Sequence, residues 1–188
     1  NQVFFTDVRV PAANLIGDEN MGWTYAKFLL ANERAGIANV AHSERLVTAL
    51  MSITAAEHDG FGGTLRNCEA FMSDLATTEV QLQALKALEA RVIASVEATG
   101  NPGDEASMLK IVGSQVQQTL EALRVEAVAN YSLPFDTDLI RGESNLPAPG
   151  PEYAVSAVSD MNFGRATSIY GGSNEIQRNV IAKAVLGL

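Results

Sequence analysis

The chain has 188 residues, 47% of them apolar and 19% charged, which suits a globular domain able to bury a core. Lysine plus arginine number 13 against 22 acidic residues, and the resulting net charge of −9 argues against nucleic acid or an anionic membrane as the main partner. A single cysteine, Cys68, excludes an intrachain disulfide framework and a cysteine-rich zinc site. The sequence has no apolar run of bilayer-spanning length and no signal-peptide pattern, so a cytoplasmic protein is expected.

The chain opens without methionine, and Val3, Phe5, Val8 and Val10 alternate until Pro11, so residues 2–10 read as a β-strand. A lone strand is not a sheet, and the simplest partner is a preceding domain of which this chain is the continuation. Residues 1–20 are therefore expected to be the end of a β-domain and its linker, and residues 21–188 a helical domain.

From Met21 to about His58, Leu30, Ile37, Val40, Val47, Leu50 and Ile53 recur at three- and four-residue steps, predicting one helix of roughly 50 Å. Asp59–Gly63 ends it, and Thr64 is the expected N-cap of a second long helix with Phe71, Leu75, Leu82, Leu85, Leu88, Val92 and Val96 on its apolar face. Thr99–Gly103 is a stop, and Asp104 is the expected cap of a third helix carrying Met108, Leu109, Val112, Val116, Leu120, Leu123 and Val128. Tyr131–Pro151 holds four of the six prolines and reads as irregular, followed by short helices over Glu152–Asn162 and Ser173–Leu186. The expected fold is an all-α antiparallel bundle of the four-helix type.

The chemistry-bearing residues are few. His42 and His58 lack a second ligand at useful spacing, there is no Glu-x-x-His pair for a di-iron bundle, and Cys68 near a helix start reads as structural. Gly171-Gly172 lacks a phosphate-loop lysine and the full Gly-x-Gly-x-x-Gly pattern. Glu33 is different. It lies in line with Leu29, Leu30, Gly36, Ile37 and Val40 on a small and apolar face, where burial would raise its pKa and suit it to proton abstraction. The alternative is a buried ion pair with an arginine of another helix.

The stretch Arg165-Ala166-Thr167-Ser168-Ile169-Tyr170-Gly171-Gly172-Ser173-Asn174-Glu175-Ile176-Gln177-Arg178 resembles the C-terminal signature of the acyl-CoA dehydrogenases. The opening Val3–Pro11, Asn14-Leu15-Ile16-Gly17 and Gly22-Trp23 is similar to that family's passage from its middle β-domain into its C-terminal helical domain, and Asn32-Glu33-Arg34 matches its recurrent Glu-Arg. The resemblance implies removal of a Cα proton and a Cβ hydride from an acyl-CoA thioester, FAD as the hydride acceptor, a trans-2-enoyl-CoA product and an electron-transfer flavoprotein as electron acceptor. Many members carry the base as a glutamate directly after the loop tyrosine, where this chain has Gly171. A minority class carries it on the first helix, which implies Glu33 as the base. The Gly171 N–H would donate to the thioester carbonyl and acidify Cα.

The resemblance also implies that Ser173 and Gly172 meet the flavin, that Arg34 shapes the acyl-CoA site and that Tyr170 lines the acyl pocket. Ser173 equally suits the N-cap of the last helix, Arg34 and Tyr170 equally suit packing, and Gly113 reads as a close helix crossing. Two flavin motifs of the family are absent. No Arg-x-x-Phe-Gly lies near Phe61–Phe71, and the third helix ends Val125-Glu126-Ala127-Val128-Ala129-Asn130-Tyr131 without Gln-x-x-Gly-Gly. These absences lead to the expectation of a heteromer in which a related subunit supplies the missing grip, resembling large subunits of pimeloyl-CoA-type or steroid side-chain dehydrogenases. A non-catalytic structural subunit and an acyl-CoA oxidase are the alternatives.

Overall fold

The computed structural model describes residues 2–188, with the side chains of residues 31, 32, 34 and 35 outside the description. Seven α-helices are formed among the described residues: α1 (Gly22–Ile37), α2 (Val40–Ala56), α3 (Glu69–Thr99), α4 (Glu105–Val128), α5 (Thr137–Arg141), α6 (Ala157–Gly164) and α7 (Asn174–Leu186). The expected all-α bundle is the observed architecture. None of the described helices is both long and apolar enough to cross a membrane.

The main core lies between α2, α3 and α4. Leu46, Leu50 and Ile53 of α2 and Phe71, Leu75, Leu82 and Leu85 of α3 close on Leu109, Val116, Leu120 and Leu123 of α4. These are the positions that the three- and four-residue spacing selects, because only that stripe of each helix faces its neighbours. Helix α4 is central: it packs against α1, α2, α3, α6 and α7. At about 1.5 Å per residue, the 31-residue α3 is roughly 46 Å long, and Gly100 ends it in the left-handed region at φ 72°.

The structure corrects several sequence expectations. The helix expected over Met21–His58 is two helices, broken where it crosses α4. Ala38 is fully buried against Gly113, where an added Cβ would lie 2.5 Å from the Ala38 Cα. Asn39 then turns into the left-handed region at φ 47° and ψ 47°, a conformation its short polar side chain tolerates. Gln117 of α4 donates from Nε2 to the Ile37 and Ala38 carbonyls at 2.9 and 3.0 Å, satisfying groups released by the break. Gly113 is therefore a close-packing glycine, as its place in the sequence suggests.

The strand expected over residues 2–10 is not formed. The segment has no ladder partner among the described residues, and Val3, Phe4, Phe5, Val8 and Val10 are exposed. Thr64 is not the cap of the second long helix: it precedes a single 3-10 turn, Leu65–Asn67, and α3 begins only at Glu69 with Cys68 in the cap position. Asp104 sits at the α4 N-cap, but its side chain makes no capping bond. Within the proline-rich segment α5 forms because the Asp136 carboxylate accepts from Asp138 and Leu139 N–H at 2.9 and 3.1 Å. Glu152–Ala154 is a 3-10 turn, so α6 starts at Ala157.

Helix α4 ends on Ala129, whose φ of 46° and ψ of −122° lie where side chains other than glycine are strained. Ala129→Gly is expected to raise stability by about 1 kcal/mol. Gly113→Ala is expected to lower it by about 1–3 kcal/mol despite the better helix propensity of alanine, because the added methyl meets backbone. Urea denaturation midpoints check both signs.

Candidate active site

The site is organised by one face of α4. Lys110, Ser114, Gln117, Glu121 and Arg124 follow one another at steps of four, three, four and three residues, forming a polar stripe along a helix that is covered on several sides. Lys110, Ser114, Gln117 and Glu121 are buried, and the Arg124 side chain is mostly so. Buried groups of this kind require partners, and the partners here are the ends and turns of the surrounding elements.

At the first step the Lys110 ammonium, fully buried, donates to Asn174 Oδ1 at 2.8 Å. Ser114 Oγ donates to the Ile111 carbonyl at 2.8 Å and accepts from Asn174 Nδ2 at 3.0 Å. Asn174 is the first residue of α7, so this cluster anchors the helix that follows the Gly171-Gly172 loop. Burial pushes the Lys110 ammonium below its ordinary pKa, while the charge of Glu175 opposes the shift.

The loop itself is held by Gln177, whose Nε2 donates to the Gly171 and Gly172 carbonyls at 3.1 and 3.4 Å. Gly171 has φ 66° and packs on α1: an added Cβ would lie 1.8 Å from Ile37 Cδ1. Gly172 has φ 89°, and a Cβ there would lie 2.5 Å from Gln177 Nε2. At both positions the left-handed backbone would strain a side chain, and a Cβ would displace the end of a neighbouring one. Ser173 caps α7, its Oγ accepting from the Ile176 N–H at 3.4 Å, so the capping reading of this residue holds. Glu175 is kept below the usual carboxylate range by its own backbone N–H at the helix start, followed by the Ser173 hydroxyl. Upstream, Gln118 Nε2 donates to the Gly164 carbonyl and to Thr167 Oγ1, both at 3.2 Å, fixing the turn Arg165–Ser168 that leads into Tyr170.

Glu33 lies one helical turn before Ile37 on α1, and Ile37 is the residue on which Gly171 rests. Two candidates from opposite ends of the sequence are thus carried by one contact. The expectation that Glu33 is buried is corrected: its side chain is exposed in this chain, as are its neighbours Leu29 and Gly36, because that face of α1 is not covered by the bundle. A Cβ added at Gly36 would meet nothing within 4 Å. Arg34 lies among the side chains outside the described residues.

Tyr170 also borders a cavity of about 330 Å³ between α2, α4, α6 and the turn before the loop. Its polar walls were not anticipated in the sequence. His42 Nε2 stands 3.6 Å from Glu121 Oε1, and Arg124 Nη1 stands 3.7 Å from Glu121 Oε2 and 2.7 Å from Asp160 Oδ2. Arg124 Nη2 donates to the Tyr153 carbonyl and to Ser156 Oγ, both at 2.9 Å. Burial pushes the Glu121 carboxyl above its ordinary range; the Asp160 charge adds to the shift, while Arg124 and His42 oppose it. Nearby, Tyr153 donates to Glu57 Oε1 at 2.5 Å, and burial together with that carboxylate pushes the phenol up to about 12.

The fold defines the class of this protein: a helical-bundle domain shared, across nearly the whole chain, with domains of larger solved structures. The butyryl-CoA dehydrogenase of Megasphaera elsdenii superposes with a TM-score of 0.71 at 25% identity, over 97% of this chain and 43% of that one. The ChsE4–ChsE5 complex of Mycobacterium tuberculosis does so with a TM-score of 0.75 at 24% identity, over 98% of this chain and 45% of that one. The acyl-CoA dehydrogenase C-terminal domain family matches residues 20–186, and the chain belongs to that family. Acyl-CoA dehydrogenase IpdE1 of Mycobacterium tuberculosis is 29% identical over all of this chain and 44% of its own length. The long-chain specific mitochondrial enzyme of Rattus norvegicus is 26% identical over 98% of this chain and 39% of its own length. The chain thus spans less than half the length of these relatives.

The Lys110–Asn174 bond makes a prediction. Asn174→Ala strands a buried ammonium and is expected to cost about 2–4 kcal/mol, shrinking to about 1 kcal/mol in a Lys110→Met background. The folded-state pKa of Lys110 lies below the ordinary 10.5, so between the two values the unfolded chain binds more protons and stability rises with pH. The parent should therefore gain on Lys110→Met as pH is raised toward 10.5. Denaturation midpoints across that range test the sign.

Proposed function

We propose that this chain is the C-terminal helical domain of an FAD-dependent acyl-CoA dehydrogenase that converts an acyl-CoA thioester to the trans-2-enoyl-CoA, with residues 1–20 leading out of a middle β-domain. The observation that carries the reading is the contact of Gly171 with Ile37, one turn beyond Glu33. It brings a carboxylate-bearing helix and a loop with backbone N–H groups together, and position 171, a glycine at φ 66°, carries no base of its own.

In this reading Glu33 takes the Cα proton, and the Gly171 N–H donates to the thioester carbonyl, so negative charge developing on that oxygen is stabilised as the proton leaves. Tyr170 borders the acyl group, while for Arg34 the family resemblance alone suggests a place in the acyl-CoA site. Gly172 and Ser173 at the capped start of α7 would hold the flavin, and the face of α1 at Gly36 is open. FAD, when bound there, supplies the hydride acceptor. The exposure of Glu33 supports an arrangement in which the rest of the protein and the acyl group cover this face, desolvating the carboxylate on substrate binding.

The same reading makes this the base-bearing subunit of a hetero-oligomer, with a related subunit supplying the flavin grip that the Val125–Tyr131 segment lacks, and an electron-transfer flavoprotein taking the electrons. Similarity to the ChsE4–ChsE5 complex, named as a complex of two proteins, supports this, as does similarity to a structure titled for the electron transferring flavoprotein of Acidaminococcus fermentans. A second reading, a structural subunit without chemistry, draws on Gly171 standing where a carboxylate is common and on the exposure of Glu33.

Glu33→Gln in the full-length protein, purified with its partner, separates the two. FAD content is expected to stay unchanged while substrate-driven flavin bleaching slows by at least about 10²-fold, the scale of one lost proton acceptor. An unchanged bleaching rate would assign the chemistry to another subunit.

A further inference from the structure

The glycine loop before α7 is gathered by one side chain. Gln177 Nε2 donates to the Gly171 and Gly172 carbonyls at 3.1 and 3.4 Å, while the Gln177 backbone N–H closes the first helical turn on the Ser173 carbonyl at 2.9 Å. The described residues contain no cis peptide bond, and in a trans peptide the N–H points away from the carbonyl. Holding the Gly171 and Gly172 carbonyls toward Gln177 therefore turns the N–H groups of Gly172 and Ser173 away from it. Neither N–H has an acceptor among the described residues, and both residues are partly exposed. A helix start ordinarily offers free donors from its cap and first turn. Here the left-handed glycines, at φ 66° and 89°, add one from before the cap.

Gln177 is costly in its place. It is 1% exposed, where an apolar side chain would pack without penalty, and its Oε1 is buried with no donor. An unpartnered buried acceptor lowers stability, so what the amide contributes lies at its donor end. The loop also approaches it closely: a Cβ on Gly172 would lie 2.5 Å from Nε2.

We propose that Gln177 is a positioning residue for the cofactor, presetting the Gly172 and Ser173 N–H groups as donors to acceptor atoms of FAD. This rests on the flavin reading above and adds the residue that makes the loop a fixed pair of donors. Two adjacent glycines left untied would visit several backbone conformations, and ordering them only on binding would weaken the complex. The Gly171 N–H belongs to the preceding peptide, whose Tyr170 carbonyl Gln177 does not touch. The donor assigned to the thioester is thus set separately from those assigned to the flavin.

The test reads FAD binding rather than turnover. The full-length protein with its co-purifying subunit is freed of flavin, and FAD is titrated back while flavin fluorescence is followed. Gln177→Leu, which fills most of the same space without a donor, is expected to weaken FAD binding about tenfold, the scale of one net hydrogen bond. The FAD-free variant should stay folded by circular dichroism. Gln177→Glu keeps the question open to an answer should the leucine variant fold poorly. Its carboxylate repels both carbonyls, whereas its protonated form donates to one of them. Its FAD affinity relative to the parent should therefore recover as pH is lowered through the carboxyl's range.

A lowered melting temperature with FAD affinity unchanged in both variants would make Gln177 merely structural and overturn the proposal. Weak FAD binding by Gln177→Glu that acid does not relieve would overturn it too. A parent complex that takes up no FAD would end this inference and the flavin reading together. The Gln177 effect without acyl-CoA dehydrogenation would strike the enzymatic reading and leave this one standing, and dehydrogenation with FAD affinity indifferent to Gln177 would do the reverse.

Discussion

The burial of a polar stripe on α4 is the constraint around which the rest of the domain is arranged. A central helix gains most from an apolar surface, yet α4 carries an ammonium, a hydroxyl, an amide, a carboxylate and a guanidinium in succession on one side. Each is expensive to bury without a partner. Lys110 and Ser114 are satisfied by Asn174 at the head of α7, Gln117 by carbonyls at the end of α1, and Arg124 by Asp160 and Ser156 at α6 and its cap. The apolar side of the same helix forms the core with α2 and α3. One helix therefore does both jobs: its apolar side supplies cohesion, and its polar side sets where the chain ends and turns must lie.

Those ends and turns are the parts with chemical potential. The α1 end fixed by Gln117 carries Ile37, on which Gly171 packs. The α7 head fixed by Lys110 follows the glycine pair, and Gln118 on the adjacent α4 position fixes the turn before Tyr170. The loop is set from three directions by amide and ammonium donors that never reach its tip. Backbone N–H groups held in this way are already oriented before any ligand arrives, the condition under which such donors stabilise developing charge most effectively.

Much of this architecture could be read in the sequence, for identifiable reasons. The apolar stripes of α2, α3 and α4 stand at helical spacing, and the stop at Thr99–Gly103 and the Ser173 cap depend on local chemistry that needs no tertiary information. The break at Asn39 was hidden because alanine, glycine and asparagine continue the local pattern without interruption; it arises from the close approach of Ala38 to Gly113, a contact between distant parts of the chain. The strand over residues 2–10 has the right alternation and no neighbour to pair with among the described residues. In the site, the glycine loop and Glu33 were legible through their resemblance to a family, but the exposure of Glu33 depends on what covers α1. Lys110, Gln117, Glu121 and Arg124 do not stand out in the sequence because their spacing is also that of an ordinary wetted helix face. Only the packing of α1, α6 and α7 onto that side distinguishes the two.

The stripe also bears on mechanics. An α-helix advanced by one residue turns its side chains through about a quarter of a circle, so any screw-like slip of α4 would detach most of its polar side chains from their acceptors together. Apolar interfaces tolerate small shears because one methyl group replaces another; this interface behaves more like a keyed shaft, with a separate key at successive turns. Relative motion within the domain is thereby directed away from α4 and toward the junction at Asn39, where the first helix is already broken and Gln117 holds the Ile37 and Ala38 carbonyls.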